Sequence, residues 1–265
     1  MKRTLASLLI GLSLLVGATT NALAQKMRDL SELTDADRLT LGAVAMADVK
    51  AQNVIGYKYF HGNGFAQDYI KAADFFRMAA ELGDAEGQNN LGIMLRNGHG
   101  MTQDYTEAVE LFRKSAEQQY AQAQRNLGTM YQDGYGVIQD FKEAVKWYQL
   151  AAEQGNADGQ FNLGLMYIYG EGVALNHSLG VKWFRLAAEQ GISGAQFNLG
   201  LHYVFGKGIP EDFVYGHMWA NIAAANGHES AGKLRDQTAT KMTAAQIAEA
   251  QQLARECVAK NYKAC

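Results

Sequence analysis

Cysteine is nearly absent from these 265 residues: Cys257 and Cys265 are the only two, and both fall in the last nine positions. No Cys-x-x-Cys pair exists, which removes zinc ribbons and the usual redox-active dithiol. Basic residues are not in surplus, with 24 Lys and Arg against 27 Asp and Glu. A nucleic-acid partner is therefore not expected, because such binding rests on neutralising phosphates with Lys and Arg. No apolar run reaches the 18 residues that a membrane-crossing helix requires, so no integral membrane protein is expected. The six histidines, His61, His99, His177, His202, His217 and His228, fit no metal spacing and read as surface or turn residues. No cofactor is expected.

The N-terminus is built differently from the rest. Lys2 and Arg3 precede an apolar run from Leu8 to Val16 and a small-residue close, Ala22-Leu23-Ala24. A charged start, a short apolar stretch and an A-x-A site describe a secretory signal segment, with cleavage expected after Ala24. Losing Lys2 and Arg3 leaves 22 basic against 27 acidic side chains, a formal charge of −5. An exported protein, periplasmic or secreted, meets an oxidising compartment, and there an even pair of cysteines is most simply a Cys257–Cys265 disulfide. Residues 25–34 read as a mobile leader, and 35–48 as a half-unit that caps the residues beyond it.

What the sequence has in abundance is repetition. A Leu-Gly pair recurs at Leu91-Gly92, Leu127-Gly128, Leu163-Gly164 and Leu199-Gly200, with Ile55-Gly56 one step earlier, each step being 36 residues. A fixed period in this range marks an array of stacked units. Five units are placed at 49–84, 85–120, 121–156, 157–192 and 193–228. Within each, apolar spacing is helical twice over. Ala123, Leu127 and Tyr131 share one face of a first helix, and Ala144, Trp147, Tyr148, Ala151 and Ala152 one face of a second.

Between the two helices lies a Gly-x-Gly, at Gly62/Gly64, Gly98/Gly100, Gly134/Gly136, Gly170/Gly172 and Gly206/Gly208. Five copies between helix pairs make it a turn that uses positive φ, not a phosphate loop. Asp68, Asp104, Asp140, Asn176 and Asp212 open the second helices as N-caps, and Asp140 with Glu143 has the form of a capping box. The mid-helix glycines Gly56, Gly92, Gly128, Gly164 and Gly200 are read as seats for a bulky partner on the second helix: Phe75, Leu111, Trp147, Trp183 or Trp219. Beyond 228 a sixth unit starts and breaks off. A last helix from Thr243, with Gln246 completing a capping box, carries Ile247, Ala250, Leu253, Ala254, Cys257 and Val258 over the end of the array.

The pattern LGxMYxxGxGVxxDxxxAxxWxxxAAxxG resembles the Sel-one-like repeat, a relative of the tetratricopeptide repeat, over about residues 35–235. The resemblance implies an all-α, right-handed α-solenoid of helix-turn-helix units that serves as a protein–protein adaptor. In bacteria such adaptors are exported and serve envelope processes, signalling or host contact. Departures are few: Gln119 replaces a terminal glycine, Gly180 and Gly216 replace alanine, and Lys58 and His202 replace methionine.

By the same resemblance, the first-helix face opposite Leu127 lines a concave, peptide-binding surface. Its positions read Asn53, Tyr57 and Phe60; Asn89, Ile93 and Arg96; Arg125, Thr129 and Gln132. They then turn apolar: Phe161, Leu165 and Ile168 in the fourth unit, Phe197, Leu201 and Val204 in the fifth, with Tyr169 and Phe205 one residue further. Contiguous exposed apolar surface marks a binding site; the alternative is packing between units. Asn90, Asn126, Asn162 and Asn198 run alongside, either as amides for an extended peptide backbone or as internal hydrogen-bond groups. Gln88, Gln124, Gln160 and Gln196 are expected to make buried bonds within the array. Some relatives of this wider family are associated with β-lactamase or penicillin-binding activity, and Ser230-Ala231-Gly232-Lys233 matches Ser-x-x-Lys. No Ser-Asp-Asn or Lys-Thr-Gly partner accompanies it, so no catalytic residue is assigned.

Overall fold

The computed structural model describes residues 48–263 and Cys265. The signal segment, the leader and all but the last residue of the half-unit lie outside the described residues. The protein divides into two compact units, one ending at Gln118 and one beginning at Gln119. The first holds α1 (Val49–His61), α2 (Tyr69–Glu81), α3 (Ala85–Asn97) and α4 (Tyr105–Glu117). The second holds α5 (Ala121–Asp133), α6 (Phe141–Glu153), α7 (Ala157–Tyr169), α8 (His177–Ala188), α9 (Ser193–Phe205), α10 (Phe213–Ala225), α11 (Ala231–Ala239) and α12 (Ala244–Ala259). No strand occurs among the described residues. Successive helices up to α11 pack on one another inside each unit, the arrangement of an α-solenoid built from helix-turn-helix repeats.

Capping fixes where the helices begin. Asp68, Asp104, Asp140, Asn176 and Asp212 each accept a backbone N–H from the first turn of α2, α4, α6, α8 and α10, satisfying donors the helix cannot. Asp140 acts without its box partner, since Glu143 pairs with Lys146 instead. The box at Thr243 and Gln246 forms in full.

The Gly-x-Gly turns use both glycines, each for its own reason. The first ends a helix in the left-handed region, as at Gly170 with φ 71°. At Gly100, Gly172 and Gly208 the second makes a close approach to the preceding repeat. A methyl group on Gly172 would lie 2.2 Å from the Phe141 carbonyl oxygen, and one on Gly100 would lie 2.5 Å from the Tyr69 carbonyl carbon. Gln119 adopts φ 65°, where the other repeats have glycine.

The mid-helix glycines seat a ring, but one residue later than expected. Methyl groups on Gly56, Gly92, Gly128 and Gly164 would come within 2.5–2.8 Å of Phe76, Phe112, Tyr148 and Phe184. These four side chains are 0–2% exposed, while Phe75, Leu111, Trp147 and Trp183 are only half-buried. A helix turns about 100° per residue, so the two positions serve different faces. In the last repeat Trp219 does stand beside Gly200, with its Cβ 3.5 Å from the methyl position, and is itself buried.

The expected glutamine bonds are present and have partners at the ends of the second helices. Gln118 donates to Gln88, Gln154 to Gln124, Gln190 to Gln160 and Asn226 to Gln196, all at 2.7–2.8 Å. The last two continue, because Gln160 donates to the Ala152 carbonyl and Gln196 to the Ala188 carbonyl of the repeat before. The acceptors Gln88, Gln124, Gln160 and Gln196 are buried, where an unpaired amide would be costly, while their donors stand at the exposed helix ends.

At the C-terminus, α11 and α12 both pack on α10. Ala250, Ala254 and Cys257 face inward, whereas Val258 is exposed. Cys257 and Cys265 are disulfide-bonded with Cα atoms 5.4 Å apart. The loop so closed brings Tyr262 back onto the array. Its hydroxyl donates to Asn226 Oδ1 at 3.2 Å, and its ring lies 3.5 Å from a methyl position on Gly191.

Candidate functional site

In the second unit, α5, α7 and α9 present equivalent positions one period apart. The residues opposite the Leu127 position form three columns: Arg125, Phe161 and Phe197; Thr129, Leu165 and Leu201; Gln132, Ile168 and Val204. The third column does not face a groove, contrary to the helical-wheel expectation. A methyl on Gly180 would lie 2.5 Å from Ile168 Cδ1, and one on Gly216 would lie 2.6 Å from Val204 Cγ2. Earlier repeats fill this place with buried alanine, Ala72, Ala108 and Ala144. Glycine in the fourth and fifth repeats opens a hole that the branched side chain closes, a volume-conserving exchange across two helices. Val204 is buried with Ala220 and Leu234.

The other apolar positions differ in how much surface they keep. Phe161 is half-buried, 5.7 Å ring to ring from Phe184 and seated over Gly194. Leu165 packs beside it on the same core. Phe197 stacks on His228 at 4.2 Å and 16°, and Leu201 shares its cluster. Tyr169 and Phe205, in the last turns of α7 and α9, are 65% and 58% exposed. The same position in earlier repeats holds His61, Asn97 and Asp133. Two large rings thus stand in water one period apart, where an aromatic surface usually finds a partner.

The asparagines are partly engaged within the protein. Asn198 donates to the Gly194 carbonyl at 2.8 Å, Asn126 accepts from Arg125 Nη1 at 3.0 Å, and Asn162 is half-buried. In the first unit Asn90 is buried and its Oδ1 accepts from Tyr57 at 3.1 Å and from Asn89 at 3.3 Å. Behind the columns, Tyr148 donates to Gln132 at 2.6 Å and lies 3.1 Å from Thr129 Oγ1. Burial pushes its phenol up to about 12, so it stays a neutral hydrogen-bonding group.

Two histidines are not on the surface. His202 and His217 are 7% and 3% exposed. His202 stands where Met94, Met130 and Met166 fill the core of earlier repeats, with Nδ1 2.6 Å from the Lys207 carbonyl and its ring 5.7 Å from His177. Burial lowers the pKa of both, helped at His202 by His177 and at His217 by Arg235. The sequence does carry the signal: a histidine in a column of buried methionines inherits the burial. Among the described residues no three His, Cys, Asp or Glu side chains converge as a metal site. Ser230 is the exposed residue before α11, with Lys233 exposed one turn on.

The model of the Sel1 repeat matches five times, at residues 49–84, 85–120, 121–156, 157–192 and 193–228. The chain belongs to the Sel1 repeat family. A Sel1 repeat protein from Oxalobacter formigenes is similar in structure, at 32% identity and a TM-score of 0.69, over 79% of this protein and 88% of that one. A Sel1 repeat protein from Klebsiella pneumoniae shares the fold at 22% identity and a TM-score of 0.50, over 74% and 95% of the two proteins. A search of the curated proteins returns no match. Sel1 repeat proteins are in general non-catalytic scaffolds for protein–protein interaction. No helix among the described residues is long and apolar enough to cross a membrane.

Proposed function

We propose that this Sel1 repeat protein is an exported scaffold that binds a partner protein or an extended peptide along the concave side of α5, α7 and α9, in bacterial envelope processes, signalling or host contact. The observation that carries this reading is the pair Tyr169 and Phe205. Both rings are more than half exposed, in register, at a position that is polar in the three earlier repeats. Phe161, Leu165, Phe197 and Leu201 extend the apolar surface beside them, and Asn162 and Asn198 border it. Export rests on the N-terminal signal pattern with cleavage after Ala24, and the disulfide suits an oxidising compartment.

Crosslinking in living cells followed by mass spectrometry identifies the partner. The double variant Tyr169→Ser/Phe205→Ser is the discriminating control, since neither ring is needed for the core. Capture is expected to disappear while the helical circular dichroism stays unchanged. A partner captured equally by the double variant assigns the binding surface elsewhere. Nitrocefin hydrolysis that is lost in Ser230→Ala would overturn the non-catalytic reading.

A further inference from the structure

The columns on α5, α7 and α9 are apolar in their last two members and charged or polar in the first. Arg125 is the only Lys or Arg in the three helices. It is half-buried, and its Nε is shielded from solvent with no acceptor. Its Nη1 donates to Asn126 Oδ1, a neutral partner within the second unit. No carboxylate of the described residues lies within 4 Å, whereas Lys146 and Arg235 of the same unit each have one. A guanidinium carries five N–H donors in a planar fork that matches a carboxylate in two-point geometry. Removing such a charge from water without a counter-ion is unfavourable. The neighbouring hydroxyls do not meet that need, as Thr129 and Tyr148 are hydrogen-bonded to each other, to the Arg125 carbonyl and to Gln132.

We infer that Arg125 receives a carboxylate of the bound partner, so that this face selects a peptide carrying an acidic group followed by apolar side chains, the acid at α5 and the apolar residues along α7 and α9. The inference rests on the reading of this face as the binding surface and gives the partner its chemistry. A polyanion is not the occupant, because Arg125 stands alone on its face and the whole protein has more acidic than basic residues. The carboxylate belongs to an Asp or Glu of the partner or to its free C-terminus.

The test is a random-peptide array, made once with amidated and once with free C-termini and probed with full-length protein. The wild type is expected to enrich peptides with Asp or Glu beside two or more apolar residues, or apolar peptides only in the free-carboxylate set, which separates the two sources. Arg125→Gln loses the acidic preference by about tenfold, a charge-assisted pair, and keeps the apolar one. Arg125→Lys retains a reduced acidic preference, which guards against a Gln variant that has simply misfolded. Enrichment of the same acidic peptides by Arg125→Gln, or a wild type indifferent to acid, sinks the role of Arg125 alone. An array on which the wild type enriches nothing, or on which Tyr169→Ser/Phe205→Ser changes nothing, removes the face itself and the inference with it.

Discussion

At the scale of single residues, the places where this protein breaks its own pattern are the most informative. Gln119 occupies φ 65°, a region where a side chain clashes with its own backbone and glycine does not. Gln119→Gly should stabilise the protein by about 1 kcal/mol, read as a higher urea midpoint at unchanged slope. His202 and His217 make the second departure. Their folded-state pKa values are lowered, so the unfolded state binds more protons than the native one in mild acid. Stability is then fully present above the ordinary imidazole value of about 6.5 and declines as pH falls below it. Melting temperatures measured from pH 7.5 to pH 5 should show this fall, and His202→Met, which restores the residue of the earlier repeats, should flatten it. A slope unchanged by His202→Met would assign the effect to His217.

At the scale of helices and turns, most of the architecture was legible because it is repeated. Caps, turn glycines and the helix pair follow from residue types that recur at one spacing, and five copies suppress accidental readings. What escaped was pairwise. The ring under Gly128 is Tyr148 and that under Gly164 is Phe184, not the adjacent tryptophan, because two neighbouring large side chains cannot be ranked by periodicity alone. The donors to Gln88, Gln124, Gln160 and Gln196 sit 30 residues away, and nothing local points to them. Ile168 and Val204 look like surface on a helical wheel, but they pack inward, Ile168 half-buried and Val204 buried, because Gly180 and Gly216 face them. The C-terminal hook yields a prediction at this scale. Cys257→Ser/Cys265→Ser opens a short loop and should cost about 2–3 kcal/mol by chain entropy, freeing Tyr262 from Asn226. Loss of the Tyr262 contact is measurable as faster amide exchange at the end of α12.

At the scale of the whole molecule, an array of like units has stability that is close to a sum over units and their neighbours. Excising residues 157–192, one full period inside the second unit, should leave a folded protein with unchanged helicity per residue and a lower melting temperature. Excising half a period should not fold. Circular dichroism and a thermal scan on both deletions decide the matter. The same logic bears on descent. The second glycine of three turns lies against a carbonyl group of the repeat before it, at Tyr69 for Gly100, at Phe141 for Gly172 and at His177 for Gly208. An inserted residue in such a turn would therefore injure a neighbour as well as its own repeat. Inheritance can lengthen or shorten such a protein only by duplicating or losing a complete repeat, so its relatives should differ in length by multiples of 36 residues within the array and by arbitrary amounts outside it.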